Sequence, residues 1–155
     1  MVGVDMQKTL IAMFMGGALI VPARAQSAAT YQVMPRSEQK LAPGPGALYD
    51  VAPLLNRKNS QANVTVRAKT GQGEVHAAWE DHIFVLDGEA NLVLGGTVEN
   101  PKTVSAGETR GDGIKGGRSF SLHPGDYVFV PANTPHQMIV AAGKSIRYGV
   151  VKTHP

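Results

Sequence analysis

Carboxylates and imidazoles are crowded into the run Glu74-Val75-His76-Ala77-Ala78-Trp79-Glu80-Asp81-His82-Ile83-Phe84-Val85-Leu86-Asp87-Gly88. These are ligands of a divalent transition metal, and their spacing decides which of them can share one ion. The run reads as two β-strands separated by a short turn. Alternate side chains of a strand share a face, so Glu74 and His76 point one way, as do Asp81, Ile83 and Val85 beyond the turn. Glu74, His76 and Asp81 are therefore expected to converge, with His82 on the opposite face. A turn differing by one residue would bring Glu80 and His82 inward instead, giving a site of three histidines, His76, His82 and His136.

The further histidine comes from Gly125-Asp126-Tyr127-Val128-Phe129-Val130-Pro131-Ala132-Asn133-Thr134-Pro135-His136, which reads as a turn, an apolar strand, a Pro-punctuated turn and a histidine opening another strand. Together the two stretches resemble the two conserved motifs of the cupin superfamily. Glu74 and His76 fall in the two histidine positions of the first motif, Asp81 in its glutamate position and Gly88 in its closing glycine. Gly125, Pro131 and His136 match the second motif without gaps. Ala68 stands where the first motif opens on glycine, Asn133 where the second has its inner glycine, and Val140 where it ends on asparagine. Asn tolerates the left-handed backbone conformation that the missing glycine would supply, so Asn133 is a mild change. The resemblance spans about residues 62 to 152. It implies a small all-β domain, a jelly-roll or double-stranded β-helix of cupin type, and one divalent metal, with His76, Asp81 and His136 as ligands and Glu74 as a fourth ligand or a general base.

The elements that must carry these residues are short. Asn63 to Lys69 alternates apolar and polar side chains as a half-buried strand does, and Glu89 to Leu94 continues beyond the ligand hairpin. Ser119 to Leu122, Tyr127 to Val130, His136 to Val140 and Ser145 to Lys152 are spaced as in a small antiparallel sandwich or barrel. His136, Met138 and Val140 should then line the interior with Glu74, His76, Asp81, Ile83 and Val85, so the metal is expected in a mostly apolar cup. Asp50 caps a predicted short helix through Leu55. Thr97 to Gly117 reads as a long glycine-rich connection near the cup mouth, either a lid-like loop or an excursion over the surface, with Glu108 and Arg110 within it as a surface ion pair or a substrate contact. Trp79 either flanks the mouth or covers a barrel end. His123 and His154 are expected in solvent, and Tyr148 in the core. Phe84, Leu86, Val128 and Val130 on the outer faces would leave apolar area that a homodimer covers.

The apolar fraction of 43% is ordinary for a globular domain, and the formal net charge of +3 comes from scattered Lys and Arg, which argues against a nucleic-acid partner. Residues 1–25 read as a signal peptide: Lys8 precedes an apolar run from Thr9 to Val21, and Ala23-Arg24-Ala25 is a cleavage sequence before Gln26. The run is short for a membrane span, so a periplasmic or secreted protein is expected, cleaved after Ala25. With no cysteine, disulfides and thiol chemistry are excluded. Residues 26–48 form a Pro/Gly-rich arm or linker, and 49–155 the cupin-like domain.

The expected function is that of a mononuclear metal enzyme, of lyase, isomerase or dioxygenase type, on a small organic and in the sharper version anionic substrate. Zinc, iron, manganese and nickel all suit the donors. The other class is a non-catalytic periplasmic protein that binds a small molecule or the metal itself.

Overall fold

Inward and outward side chains alternate along the last strand of the chain: Ile146, Tyr148 and Val150 are buried and the residues between them are not. Glu80–Gly88 and Ala90–Leu94 alternate in the same way, and the strands make two stacked antiparallel sheets. The computed structural model describes residues 32–155, of which Val33–Pro155 forms one compact unit. The expected signal peptide and its cleavage point lie outside the described residues, as does the start of the arm.

After a single 3-10 turn at Arg36–Glu38 come thirteen strands: β1 (Tyr49–Arg57), β2 (Ser60–Arg67), β3 (Gly73–His76), β4 (Glu80–Gly88), β5 (Ala90–Leu94), β6 (Thr97–Val98), β7 (Lys102–Ser105), β8 (Glu108–Gly111), β9 (Ile114–Lys115), β10 (Arg118–Leu122), β11 (Tyr127–Val130), β12 (His136–Ile139) and β13 (Ile146–Thr153). One sheet runs β1-β2-β13-β4-β11, the other β10-β5-β12-β3-β8-β7, and β6 pairs with β9 in a small ribbon. The sheets face each other and do not close into a barrel. Between them lies an apolar core of Ile83, Val85, Ala90, Leu92, Leu122, Val130, Met138, Val140, Ile146, Tyr148 and Val150. Leu92, Ile146 and Val130 are the largest fully buried side chains.

Gly88 leaves β4 with φ of 74°, and a Cβ there would lie 2.1 Å from the Ser145 carbonyl oxygen. The closing glycine of the first motif thus lets the chain turn against the start of β13. Asn133 adopts φ of 62°, and its backbone N–H donates to the His76 carbonyl at 2.8 Å, tying the turn before His136 to the end of β3.

Several expectations change. Asp50 to Leu55 is not helical; it lies within β1, an edge strand paired with β2, and Pro53 sits at an irregularity in that pairing. A proline lacks the N–H of a ladder, so an edge strand at a bulge accommodates it better than a sheet interior would. The stretch from Thr97 to Gly117 is not an open loop but contains β6, β7, β8 and β9, with β8 paired to β3. The described end of the arm is tied down: the Arg147 guanidinium donates to Gln39 Oε1, Ala42 N–H to Asp50 Oδ2 at 3.1 Å, and Ala68 N–H to the Leu48 carbonyl at 2.9 Å. Val130 faces the core and Val128, half-buried, packs against it, so neither adds to the outer apolar face. Phe84 and Leu86 are exposed as expected, joined on the outer face by Tyr127 and Phe129. It is on this face that the expectation of a homodimer rests.

Candidate functional site

Strand registers assemble the site. Glu74 and His76 project from β3, and His136 opens β12 directly opposite Glu74. Asp81 lies near the start of β4 opposite Lys152 of β13. On the other side of β3, β8 sets Arg110 opposite Glu74 and Glu108 opposite His76. Directly opposed residues of an antiparallel pair share a face, so each pairing delivers a polar side chain to the same end of the interior.

The two histidines present the same atom inward. His136 Nδ1 donates to the Thr134 carbonyl at 2.9 Å, which leaves Nε2 with a bare lone pair. That nitrogen is buried and makes no hydrogen bond among the described residues; it lies 3.6 Å from Glu74 Oε1 and 3.7 Å from Asp81 Oδ2. His76 Nδ1 is held by the Glu108 carboxylate in a short hydrogen bond, and its Nε2 lies 3.4 Å from Asp81 Oδ2. An imidazole whose outer nitrogen is fixed by a carboxylate or carbonyl is oriented as a metal ligand. Glu74, His76 and His136 each offer a ligand atom within 4.8 Å of the others. Ligand atoms about 2.1 Å from a tetrahedral ion stand roughly 3.4 Å from one another, near the separations found here, so the donor set fits a divalent metal.

Asp81 is buried, as alternation requires, but it is not free. Lys152 Nζ donates to Asp81 Oδ1 at 2.7 Å and Oδ2 at 3.0 Å, and to His76 Nε2 at 2.7 Å. Burial would push the Asp81 pKa up, yet the His76 hydrogen bond and the Lys152 ammonium outweigh it and hold the carboxyl below its ordinary value. For His76, burial opposes the imidazolium, and so does Lys152, but the hydrogen bonds to Asp81 and Glu108 prevail and raise the pKa. His136 moves the other way: burial is the largest influence and lowers its pKa, against the attraction of Glu74 and its bond to Thr134.

Glu108 and Arg110 are not a surface ion pair but part of this site. Arg110 donates to Glu108 Oε1 at 3.0 and 3.1 Å and reaches Glu74 Oε2 at 3.5 Å. One guanidinium thus braces both the carboxylate that orients His76 and the one that faces His136. The signal for them was the Glu-x-Arg alternation inside a stretch taken as loop. Lys152 was also missed, although alternation from Ile146 through Tyr148 and Val150 reaches it two residues later.

His82 is on the outer face, accepting from or donating to the Tyr127 hydroxyl at 2.8 Å and packing on Phe129, so the alternative set with three histidines does not form. Glu80, which the shifted register would have turned inward, is not among the cavity-lining residues. The cavity has a volume of about 260 Å³ and is polar rather than mostly apolar: Gln61, Asn63, Thr65, Arg67, Arg110, Tyr148 and Lys152 join the four expected residues. Trp79 lines it, half-buried, with its ring 3.9 Å from that of His154, which is exposed as expected.

No family model and no curated protein matches the sequence. Solved structures do. The chain is similar to the polyketide cyclase RemF from Streptomyces resistomycificus at 20% identity, over 80% of each chain, with a TM-score of 0.56. It is similar to KdgF from Halomonas sp. at 13% identity, over 81% of this chain and 96% of that one, with a TM-score of 0.57. An RmlC-like cupin family protein with a double-stranded β-helix fold from Methanocaldococcus jannaschii matches at 16% identity, over 83% and 94% of the two chains, with a TM-score of 0.52. At such identities the likeness is one of fold alone, and that fold is the double-stranded β-helix.

Proposed function

We propose that this chain is a mononuclear metal-dependent enzyme of lyase or isomerase type acting on a small organic anion. The observation that carries the reading is His136 Nε2, a buried lone pair with no hydrogen-bond partner that points at two carboxylates. A buried polar atom without a partner is costly, and a metal would satisfy it. His76, His136 and Glu74 would hold the ion, with Asp81 completing the set. When bound, such an ion supplies Lewis acidity toward an oxygen of the substrate. RemF, named as a cyclase, is an example of a similar fold carrying an enzyme.

The substrate class follows from charge and volume. Arg67, Arg110 and Lys152 balance Glu74, Asp81 and Glu108 along the lining, so a dication would leave the cavity positive. The Arg67 guanidinium meets the Tyr148 hydroxyl at 3.5 Å and the Tyr49 ring at 4.9 Å, neither of them an anion, and is suited to a substrate carboxylate. A cavity of about 260 Å³ admits only a small molecule. Where His76, Asp81 and His136 hold the ion by themselves, Glu74, part-exposed and braced by Arg110, is instead the group placed to accept a proton from the bound substrate. Two histidines with a carboxylate also suit ferrous iron, which supports dioxygenase chemistry as the second reading.

Metal analysis of the purified protein tests the proposal. About one ion per chain in the wild type, lost on His136→Ala, is expected; a wild type that binds none of zinc, iron, manganese or nickel overturns it. Export with cleavage after Ala25 is part of the same reading, resting on the apolar run and the Ala-Arg-Ala sequence. An intact mass beginning at Gln26 is the expected result for the exported product.

A further inference from the structure

We propose that Lys152 is a built-in cation that keeps the metal's place between His76 and Asp81 and must leave when a metal ion binds. The inference rests on the metal reading above and concerns what that metal must displace. His76 has two ring nitrogens. Nδ1 is committed to Glu108, so only Nε2 can coordinate, and that same nitrogen takes the Lys152 ammonium at 2.7 Å. One lone pair cannot serve both. Asp81 repeats the conflict: both of its oxygens accept from Nζ, at 2.7 and 3.0 Å, so a dication drawn to this carboxylate meets a cation already seated there.

Register explains how the ammonium comes to be there, and why it can leave. Lys152 lies directly opposite Asp81 across the β13–β4 ladder, close to the end of β13. Its side chain keeps 19% of its exposure, against 6% for Asp81. The flexible four-carbon stem can therefore swing its head into the open cavity by rotamer change alone, with the strand in place. Two consequences follow. Without metal, the buried Asp81 charge is compensated and the site does not repel itself apart. With metal, the displaced ammonium adds to the positive charge of the cavity on the side where Lys152 already lines it.

Zinc titration against a chromophoric chelator, on the wild type and on Lys152→Met, reads the competition directly. Removing charge-assisted hydrogen bonds that the metal must break should tighten zinc binding about tenfold to a hundredfold. The His136→Ala change, made in both backgrounds, should abolish binding in each and so locate the ion. Equal or weaker zinc binding by Lys152→Met, still dependent on His136, overturns the role of Lys152 and leaves the metal site standing. No zinc binding in either background, repeated with iron, manganese and nickel, overturns the metal reading and this inference with it. A measurement on the wild type guards against a variant that fails to fold: acylation of the Lys152 amine, followed by mass spectrometry, should speed up severalfold on zinc loading. Unchanged or slower acylation of Lys152 in zinc-loaded protein refutes the displacement.

Discussion

The two ends of the interior are built by the same strands and differ only in which side chains those strands present. Along β13 the inward positions run Ile146, Tyr148, Val150, then Lys152; along β4 they run Val85, Ile83, then Asp81; along β12, Met138, then His136. At one end the result is dry and close-packed, with Ile146 at 0% and Leu92 at 1% exposure. At the other, the last inward residue of each strand is ionisable, and the side chains pair across the gap between the sheets instead of filling it. The β13–β4 ladder runs without a shift from Tyr148 opposite Val85 to Thr153 opposite Glu80, so one stretch of pairing places both Val150 and Lys152. The apolar end supplies stability, and the charged end is held in place by it at some cost in desolvation.

If that division holds, changes at the two ends should separate metal binding from stability. The largest expected effect is on metal: His76→Ala with His136→Ala removes both nitrogen donors, and zinc affinity should fall well beyond a hundredfold, since loss of an outer partner of one histidine alone costs about 10- to 100-fold. Thermal unfolding in chelator should change far less. Stoichiometric metal in this double variant would place the ion elsewhere.

At the apolar end, Ile146→Ala opens a cavity under fully buried surface and should cost about 2–5 kcal/mol in urea unfolding. Metal bound per folded molecule should be unchanged. A parallel loss of affinity would mean that the two ends are mechanically coupled and the division drawn above is too sharp.

Between them lies Glu108→Gln, which keeps the shape of the side chain that orients His76 but removes its charge. Zinc affinity should drop by about 10- to 100-fold while the unfolding midpoint moves little. An unchanged affinity would show that Glu108 is only a partner for Arg110.

What the sequence made legible was whatever alternation and turn chemistry specify locally. Glu74, His76, Asp81 and His136 converge because period-two spacing within short strands is a strong signal, and Asn133 takes the left-handed conformation its type allows. Pairing between distant strands is not written locally. Glu108 and Arg110 enter the site through the β3–β8 register, and their Glu-x-Arg spacing does not say which distant strand they pair with. Lys152 follows by alternation from Ile146, Tyr148 and Val150, but its partner does not: only the β13–β4 register sets it opposite a buried aspartate. The Asp50 to Leu55 helix failed because capping propensity is a weak prior against pairing with β2. The choice between sandwich and barrel stayed open for a related reason, since strand spacing does not say whether two sheets join at their edges.

The smallest expected effect sits at the border between the two ends, on Tyr148, whose ring packs in the core while its hydroxyl faces Arg67. Burial pushes the phenol pKa above its ordinary value of 10.0, with Arg67 only partly opposing the shift. The folded state therefore favours the neutral phenol. Its contribution to stability is complete below the unfolded pKa and is lost as pH rises through the folded one. Wild-type stability should thus fall above about pH 10, with this group adding at most about 1.4 kcal/mol per pH unit to the slope. Tyr148→Phe removes that part of the slope and leaves the titration of the lysines in place, so the two proteins should diverge between pH 9 and 11 in urea melts. Near neutral pH the loss of a 3.5 Å hydrogen bond should cost the variant less than about 1 kcal/mol. Parallel alkaline curves would mean that the Tyr148 hydroxyl is solvated like the charged end rather than buried like the apolar one, and would move the border between them inward by one residue pair.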